Sequence, residues 1–119
     1  MATPTVYTPK PLADPGQLGT TVGDPPYLHT VSASTTTKLT AIILVNSLTT
    51  SVTATLYLVP SGGSAGVTNL LLNAVDIPTS GTPLILEFDE LYLETGATIQ
   101  GLASSASQVT YHLSGVELT

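Results

Sequence analysis

Residues 38–46 read KLTAIILVN and residues 51–60 read SVTATLYLVP, and these two runs decide the fold class. Both are rich in Val, Ile, Leu and Thr, and branched or bulky side chains of this kind fit an extended, pleated backbone. In the second run every second residue is apolar: Val52, Ala54, Leu56 and Leu58. Alternation at a period of two predicts a strand with one face toward a core.

The first run is apolar on both faces. One face carries the following residues: Leu39, Ala41, Ile43 and Val45. The opposite face carries Ile42 and Leu44 beside Thr40. A strand with apolar residues on both sides is typical of one that is covered on both sides. We therefore expect residues 38–46 to form a doubly covered strand.

From Tyr27 onward the chain continues as short β-rich runs separated by turn residues. Further strands are predicted in these segments: YLHTVS (27–32), VTNLLLNAVDIP (67–78) with the strand ending at Pro78, PLILEFD (83–89), LYLE (91–94), ATI (97–99) and QVTYHLSGVELT (108–119). The segment 69–75 could instead form a helical turn, but its β-rich surroundings favour a strand. About eight short strands at this spacing, with no long amphipathic helix, predict an all-β fold: a single antiparallel β-sandwich, jelly-roll or immunoglobulin-like.

The first 26 residues differ from the rest because they hold six of the nine prolines. These are Pro4, Pro9, Pro11, Pro15, Pro25 and Pro26. Proline fixes φ and has no backbone N–H, so this stretch can be neither a helix nor a central strand. The predicted organisation is an extended N-terminal arm over residues 1–26 and one sandwich domain over residues 27–119.

Composition indicates a protein that packs against others. The chain has 119 residues, of which 42% are hydrophobic, so it can bury one core. Only 8% of the residues are charged, against about 25% in an average protein. A surface covered mainly by Ser and Thr hydroxyls is typical of a protein that is stably bound to further copies or to partners.

Charge and cysteine content exclude several function classes. The formal net charge is −6, and Lys10 and Lys38 are the only basic side chains, which argues against binding to nucleic acid or to an anionic membrane. There is no Cys, and therefore no disulfide, thiolate chemistry or Cys-ligated zinc. No apolar run reaches the length of a transmembrane helix, and we expect no signal peptide.

No arrangement typical of catalysis or cofactor binding is found. His29 and His112 are the only histidines, and neither lies in a catalytic pattern, so both are interpreted as ordinary strand residues, with a pH-responsive role left open. The loop PSGGSAG (60–66) lacks the lysine of a phosphate-binding loop, and no G-x-S-x-G motif is present. We expect a protein that is not an enzyme and needs no cofactor or metal.

Acidic residues are densest in EFDELYLE (87–94). The four acids are Glu87, Asp89, Glu90 and Glu94. Carboxylates at short spacing could bind calcium, but the spacing matches no EF-hand loop. The preferred interpretation is a solvated or inter-subunit acidic edge, and a cation site is the alternative.

Several segments together resemble small virion proteins of tailed bacteriophages. They are IILVN (42–46), SVTATLYLVPSGG (51–63), LYLETGATIQ (91–100) and VTYHLSGVE (109–117). The resemblance covers most of the chain after about residue 35 and is carried by strand order and turn residues rather than by a catalytic motif. Proteins of this kind are typically β-sandwiches that serve as capsid decoration (cement) proteins, head fibres or tail-associated structural proteins.

The resemblance implies a capsid cement protein on the outer surface of a phage head, where it would stabilise contacts between capsomers. The implied partners are the major capsid protein and further copies of the chain, with a homotrimer expected and the virion as location. The alternative is a tail or head-fibre component that binds a host surface or joins fibre parts.

The same resemblance gives the arm a role, because cement proteins often reach across neighbouring capsid subunits with an extended segment. The candidate partner-binding residues are the spaced apolar ones: Val6, Tyr7, Leu12, Leu18 and Val22. An extended chain can add to a sheet edge or lie in a groove of a partner. Self-association is expected on the outward residues of the final strands.

Overall fold

The computed structural model describes residues 7–13, 16–22, 27–79 and 82–119, with Glu90 described by its backbone alone. Nine strands and one short 3₁₀ helix, Val67–Asn69, form the described chain. The strands are β1 Tyr7–Pro11, β2 Gly16–Gln17, β3 His29–Thr30, β4 Thr36–Asn46, β5 Val52–Val59, β6 Leu70–Ile77, β7 Leu84–Leu93, β8 Thr98–Ala103 and β9 Val109–Leu118. The predicted all-β class is confirmed, and the segment 69–75 is mostly strand.

The strands form two antiparallel sheets. In sheet A, β1 and β2 lie along one side of β9, which is followed by β4 and then β7. In sheet B the order is β3, β8, β5, β6. Between β2 and β9 every connection except the one from β5 to β6 crosses from one sheet to the other. This is the predicted antiparallel sandwich.

The core lies between the two sheets and takes side chains from both. The largest fully buried residues are Leu18, Val31, Leu39, Ile42, Leu44, Val52, Leu56, Val59, Ile77, Ile99, Val109 and Leu113. Val52, Ala54 and Leu56 are all buried, so the alternation predicted for the first part of β5 is confirmed. Leu58, opposite Ile99 near the end of β5, is only partly buried.

A β-bulge at Thr40 changes which side of β4 faces the core. Before the bulge Leu39 is buried, and after it the buried residues are Ile42 and Leu44. The Thr40 hydroxyl donates a hydrogen bond of 3.0 Å to the backbone oxygen of Ser114 on the neighbouring strand. The prediction that Ile43 shares a face with Leu39 is therefore wrong, since one extra residue reverses the alternation.

The N-terminal segment is part of the sandwich, and this corrects the expectation for Leu12 and Leu18. The Leu12 amide donates to the Leu113 carbonyl at 3.0 Å, and the Leu18 amide donates to the Val109 carbonyl at 2.9 Å. Both side chains belong to the core, with exposures of 7% and 2%. They stabilise their own domain and are not free to contact a partner, because an extended apolar segment covers its own sheet as readily as another.

Pro9 lies at an edge of sheet A, where a residue without an N–H can be accommodated. Farther along the chain, the Gly19 carbonyl accepts from the Ala103 amide at 2.8 Å, at the end of β8. The Leu28 amide then donates to the Ile99 carbonyl at 3.0 Å. The described residues 7–13 and 16–18 thus lie along the edge of sheet A, and Gly19 and Leu28 are bonded to β8 of sheet B, so the described residues before and after residue 26 pack on the same sandwich.

Two buried amides hold the turn after β4 against the start of β9. The Asn46 side chain accepts from the Leu48 amide at 3.0 Å and from Gln108 Nε2 at 3.2 Å. Both amides also donate to the Thr50 carbonyl, at 2.8 Å from Asn46 and 2.7 Å from Gln108. These bonds satisfy polar groups that would otherwise be costly to bury.

Candidate interaction surface

His29 joins the two sheets rather than forming a reactive centre. It lies on β3 of sheet B, and its Nδ1 donates to the Leu12 carbonyl in the N-terminal segment at 2.9 Å. Its Nε2 lies 3.4 Å from the hydroxyl of Thr37 on β4. Burial lowers the pKa of His29 below 6.5, and Lys10 lowers it further, while the bond to Leu12 and the charge of Glu117 act in the opposite direction. His29 is therefore neutral in the folded protein at neutral pH.

We expect the free energy of unfolding to fall as the pH drops below about 6.5, where unfolded His29 gains a proton that the folded site resists. Above that pH this contribution is fully present, and it is lost as the pH falls through the lowered pKa of the folded state. Urea unfolding between about pH 5 and about pH 8 measures it. His29→Gln should remove this part of the pH dependence. His112→Gln should keep it, because His112 is exposed on β9; equal profiles for both variants would contradict the prediction.

The acidic residues lie along and beyond the free side of β7. The side chains of Glu87 and Asp89 are exposed, Glu94 is exposed just after the strand, and the side chain of Glu90 lies outside the described residues. Among the described residues, no three His, Cys, Asp or Glu side chains are grouped so that they could hold a metal ion. Nothing in the described geometry therefore favours the cation site over an acidic edge.

The outer face of sheet A is the most distinctive surface of the molecule. The register of the strands places these residues on it: Tyr7, Pro9 and Pro11 from β1; His112, Ser114, Val116 and Leu118 from β9; Lys38, Ala41, Ile43 and Val45 from β4; and Ile85, Glu87 and Tyr92 from β7. Ile85, Tyr92 and Tyr7 are 52%, 53% and 67% exposed. Apolar side chains thus continue across all four strands, and exposed apolar faces of this kind mark contact surfaces.

Two shallow depressions lie on this face. The first, of about 330 Å³, lies toward the end where the two terminal strands meet, and it is lined by Tyr7, Pro9, Lys38, Tyr92, Val116 and Leu118. The second, of about 610 Å³, is mostly apolar and includes Pro11, Ile43, Val45, Pro83 and His112 in its lining. The row in which Ser114, Ala41 and Glu87 are neighbours borders the second depression, which Ser114 also lines. The face is therefore uneven, and side chains of a partner can pack into the two depressions.

Charge on the outer face of sheet A is sparse. Lys38 is the only cation on it. On the adjacent strand, Glu87 lies five residues before Tyr92, the residue level with Lys38, and a register shift places Glu87 level with Ala41. The single ion pair found among the described residues joins Lys10 to Glu117, so Lys38 has no such partner there. A face with little charge loses little hydration energy when a protein covers it.

The edges of the sheets are less suited to binding than this face. β1 presents Pro9 and Pro11, which cannot donate to an added strand, and β7 carries exposed acids. β6, at the edge of sheet B, is irregular at Ala74, whose φ is 48°. Prolines, charges and irregularities are the usual devices that prevent sheets from pairing edge to edge. Association is therefore favoured across the face.

The structure divides the candidate partner-binding residues. Tyr7 is on the outer face of sheet A, and Val22 is partly buried beside Tyr27, away from that face, in a pocket of about 210 Å³. Leu12 and Leu18 are in the core, and Val6 lies outside the described residues. Ile43 and its neighbours on the face are not among the contact residues predicted from the sequence. The signal for them is the doubly apolar run 38–46, which predicts a strand covered on both sides but not what covers its second side.

Searches of protein-family models, of curated proteins and of solved structures found no match to the chain. Within the residues that the structure describes, no helix is long and apolar enough to span a membrane.

Proposed function

We propose that the protein is a structural component of a tailed-phage particle: a cement protein that binds the outer surface of the head and stabilises contacts between capsomers. Two observations support the proposal. Segments between residues 42 and 117 resemble phage virion proteins, and the chain presents an apolar, charge-poor sheet face suited to protein contact. The partners proposed are the major capsid protein and further copies of the chain.

The outer face of sheet A is the observation that carries the proposal. Burying apolar surface contributes about 25 cal/mol per Å², and one such face contributes a modest free energy for each copy. Many copies bound only to the assembled shell shift the equilibrium toward the shell by mass action. Reinforcement then needs no catalytic site, only a stable sandwich with one adhesive face.

The described residues of the predicted arm, 7–13 and 16–22, are proposed to stabilise the sandwich itself rather than to reach across to a partner. Because Leu12 and Leu18 are in the core, Tyr7 is the one candidate among the described residues that lies on the surface that we assign to contact. The strands Tyr7–Pro11 and Gly16–Gln17 instead pair with the otherwise free side of β9.

Copy number in purified particles tests the proposed function. Quantitative mass spectrometry against the major capsid protein should give a ratio comparable to that of the capsid lattice. A handful of copies per particle would overturn the cement role and favour the tail or head-fibre alternative. Absence from particles would overturn the structural role altogether.

Ile43→Glu should reduce the occupancy of heads. The substitution places a charge in the middle of the apolar face, and burying an unpaired carboxylate costs several kcal/mol, so apparent affinity should fall at least about tenfold. Val67→Glu is the matched control, because Val67 is 85% exposed and lies in the 3₁₀ helix, away from this face. The measurement is the bound fraction when each variant is added back to heads that lack the protein. Equal occupancy for the two variants would exclude the outer face of sheet A as the contact.

A further inference from the structure

Opposite charges on the outer face of sheet A lie between two apolar patches. Lys38 on β4 is level with Tyr92 and Val116, whereas Glu87 on β7 is level with Ala41. We define the Val116 patch as Tyr7, Pro9, Val116 and Leu118, and the Ile43 patch as Pro11, Ile43, Val45 and Ile85. Along the strands, the Val116 patch lies in the row of Lys38 and beyond it toward Leu118, and the Ile43 patch lies in the row of Glu87 and beyond it toward Val45.

This arrangement is self-complementary. A two-fold axis that lies between two such faces and exchanges the positions of Lys38 and Glu87 also exchanges the two ends of the face. Each Lys38 then meets the Glu87 of the other copy, and each Val116 patch covers an Ile43 patch. A two-fold contact repeats every interaction, so one suitable pair of charges supplies two ion pairs.

We propose that a second copy of this chain packs on the outer face of sheet A across a two-fold axis, with Lys38 of each copy paired with Glu87 of the other. The contact places two sheets face to face, the packing that already forms the sandwich interior, at about 10 Å between sheets. Three strands of 10 or 11 residues and one of 5, about 4.8 Å apart, give a face of roughly 550 Å². That is the scale of one side of a small stable interface.

Charge favours a copy of this chain as the occupant. The chain has a formal net charge of −6, so two copies repel each other over most of their surfaces. Lys38 lies in an apolar setting without an ion-pair partner among the described residues, and it needs a carboxylate when the face is covered. Glu87 of a second copy supplies that carboxylate at the position where the apolar patches also match. Edge-to-edge pairing of β7 would bring acidic residues together instead.

The inference goes beyond the head-binding role and is tested apart from it, because the contact forms between purified chains. Both proposals use the outer face of sheet A, so a chain that binds the head through this face gives up its second copy. Sedimentation equilibrium of the full chain should show a dimer that dissociates at about micromolar concentration or below. Lys38→Glu and Glu87→Lys should each weaken the dimer at least about tenfold, since each single change creates two like-charge contacts. The double variant Lys38→Glu/Glu87→Lys should recover the dimer, because the reversed pair is again complementary.

The double variant makes the test specific to pairing. It has the composition and net charge of the wild type, so recovery cannot come from a change in overall repulsion. Circular dichroism and thermal unfolding of all four proteins establish that each is folded at the temperature used. A monomer at about 100 µM wild type, or a double variant as weak as the single ones, would overturn the proposal. A trimer would also overturn the two-fold contact and would support the oligomer expected from the resemblance.

Each result bears separately on the two proposals. A wild-type monomer that nevertheless coats heads at lattice stoichiometry would remove the two-fold pair and leave the cement role intact. A protein that forms the dimer in solution but is absent from particles would leave the two-fold pair intact and remove the cement role.

Discussion

Replacing Leu18 by Ala is expected to lower the free energy of unfolding by about 2–5 kcal/mol. Leu18 is only 2% exposed and packs in the core, although it lies in a proline-rich segment. The truncation removes apolar burial and leaves a cavity that the two sheets cannot fill, because their backbones are fixed by strand pairing on both sides. Urea unfolding monitored by circular dichroism measures the change.

Tyr7→Ala is the control within the same segment. Tyr7 belongs to β1 and is 67% exposed, so its truncation should change stability by no more than about 0.5 kcal/mol. If Leu18→Ala were as mild as Tyr7→Ala, residues 7–18 would not be part of the core. The comparison therefore separates a structural strand from an arm that is merely attached to the domain.

Gly115→Ala is expected to destabilise the fold by at least about 2 kcal/mol. A Cβ on Gly115 would lie 2.5 Å from the backbone oxygen of Lys38 and 2.8 Å from a methyl group of Leu12. The first contact is with the backbone of the adjacent strand, which can move only if β4 and β9 separate. Thermal unfolding should show a lowered midpoint for this variant.

Gly19→Ala is the matched control for that substitution. A Cβ on Gly19 would have nothing within 4 Å, and the residue is not in the left-handed region. Its stability should stay within about 0.5 kcal/mol of the wild type. If the Gly115→Ala protein were as stable as the Gly19→Ala protein, β4 and β9 could move apart at Gly115 at little cost, and the prediction would be wrong.

The sandwich itself could be predicted because its strands carry local signals. The alternation of Val52, Ala54 and Leu56 follows from the pleat of a strand with one buried face, and the structure buries all three. The bulge at Thr40 could not be predicted, since nothing in KLTAIILVN identifies which residue is left out of the pairing. One such residue then reverses the orientation of Ile43 and Val45.

The contact surface could be predicted only in part. The apolar residues on the second face of β4 were visible in the sequence, but apolarity alone does not say whether the cover comes from the same chain or another. The same ambiguity affects Leu12 and Leu18. Their apolar side chains predict contact with a partner, but in the structure both lie in the core of their own domain. The position of Lys38 relative to Glu87 depends on the pairing of β4 with β7, which only the structure supplies.

The position of β9 between β1 and β4 has a consequence for how the protein is made. The first described strand and the last one are direct neighbours, with Tyr7 level with Leu118. During synthesis, β1 and β4 leave the ribosome long before the strand that must lie between them, so sheet A cannot close until residues 109–118 have emerged. Long-range pairing of this kind makes folding slow compared with helix formation. Until then the apolar side of β4 has no partner strand from β9 and stays exposed on the nascent chain.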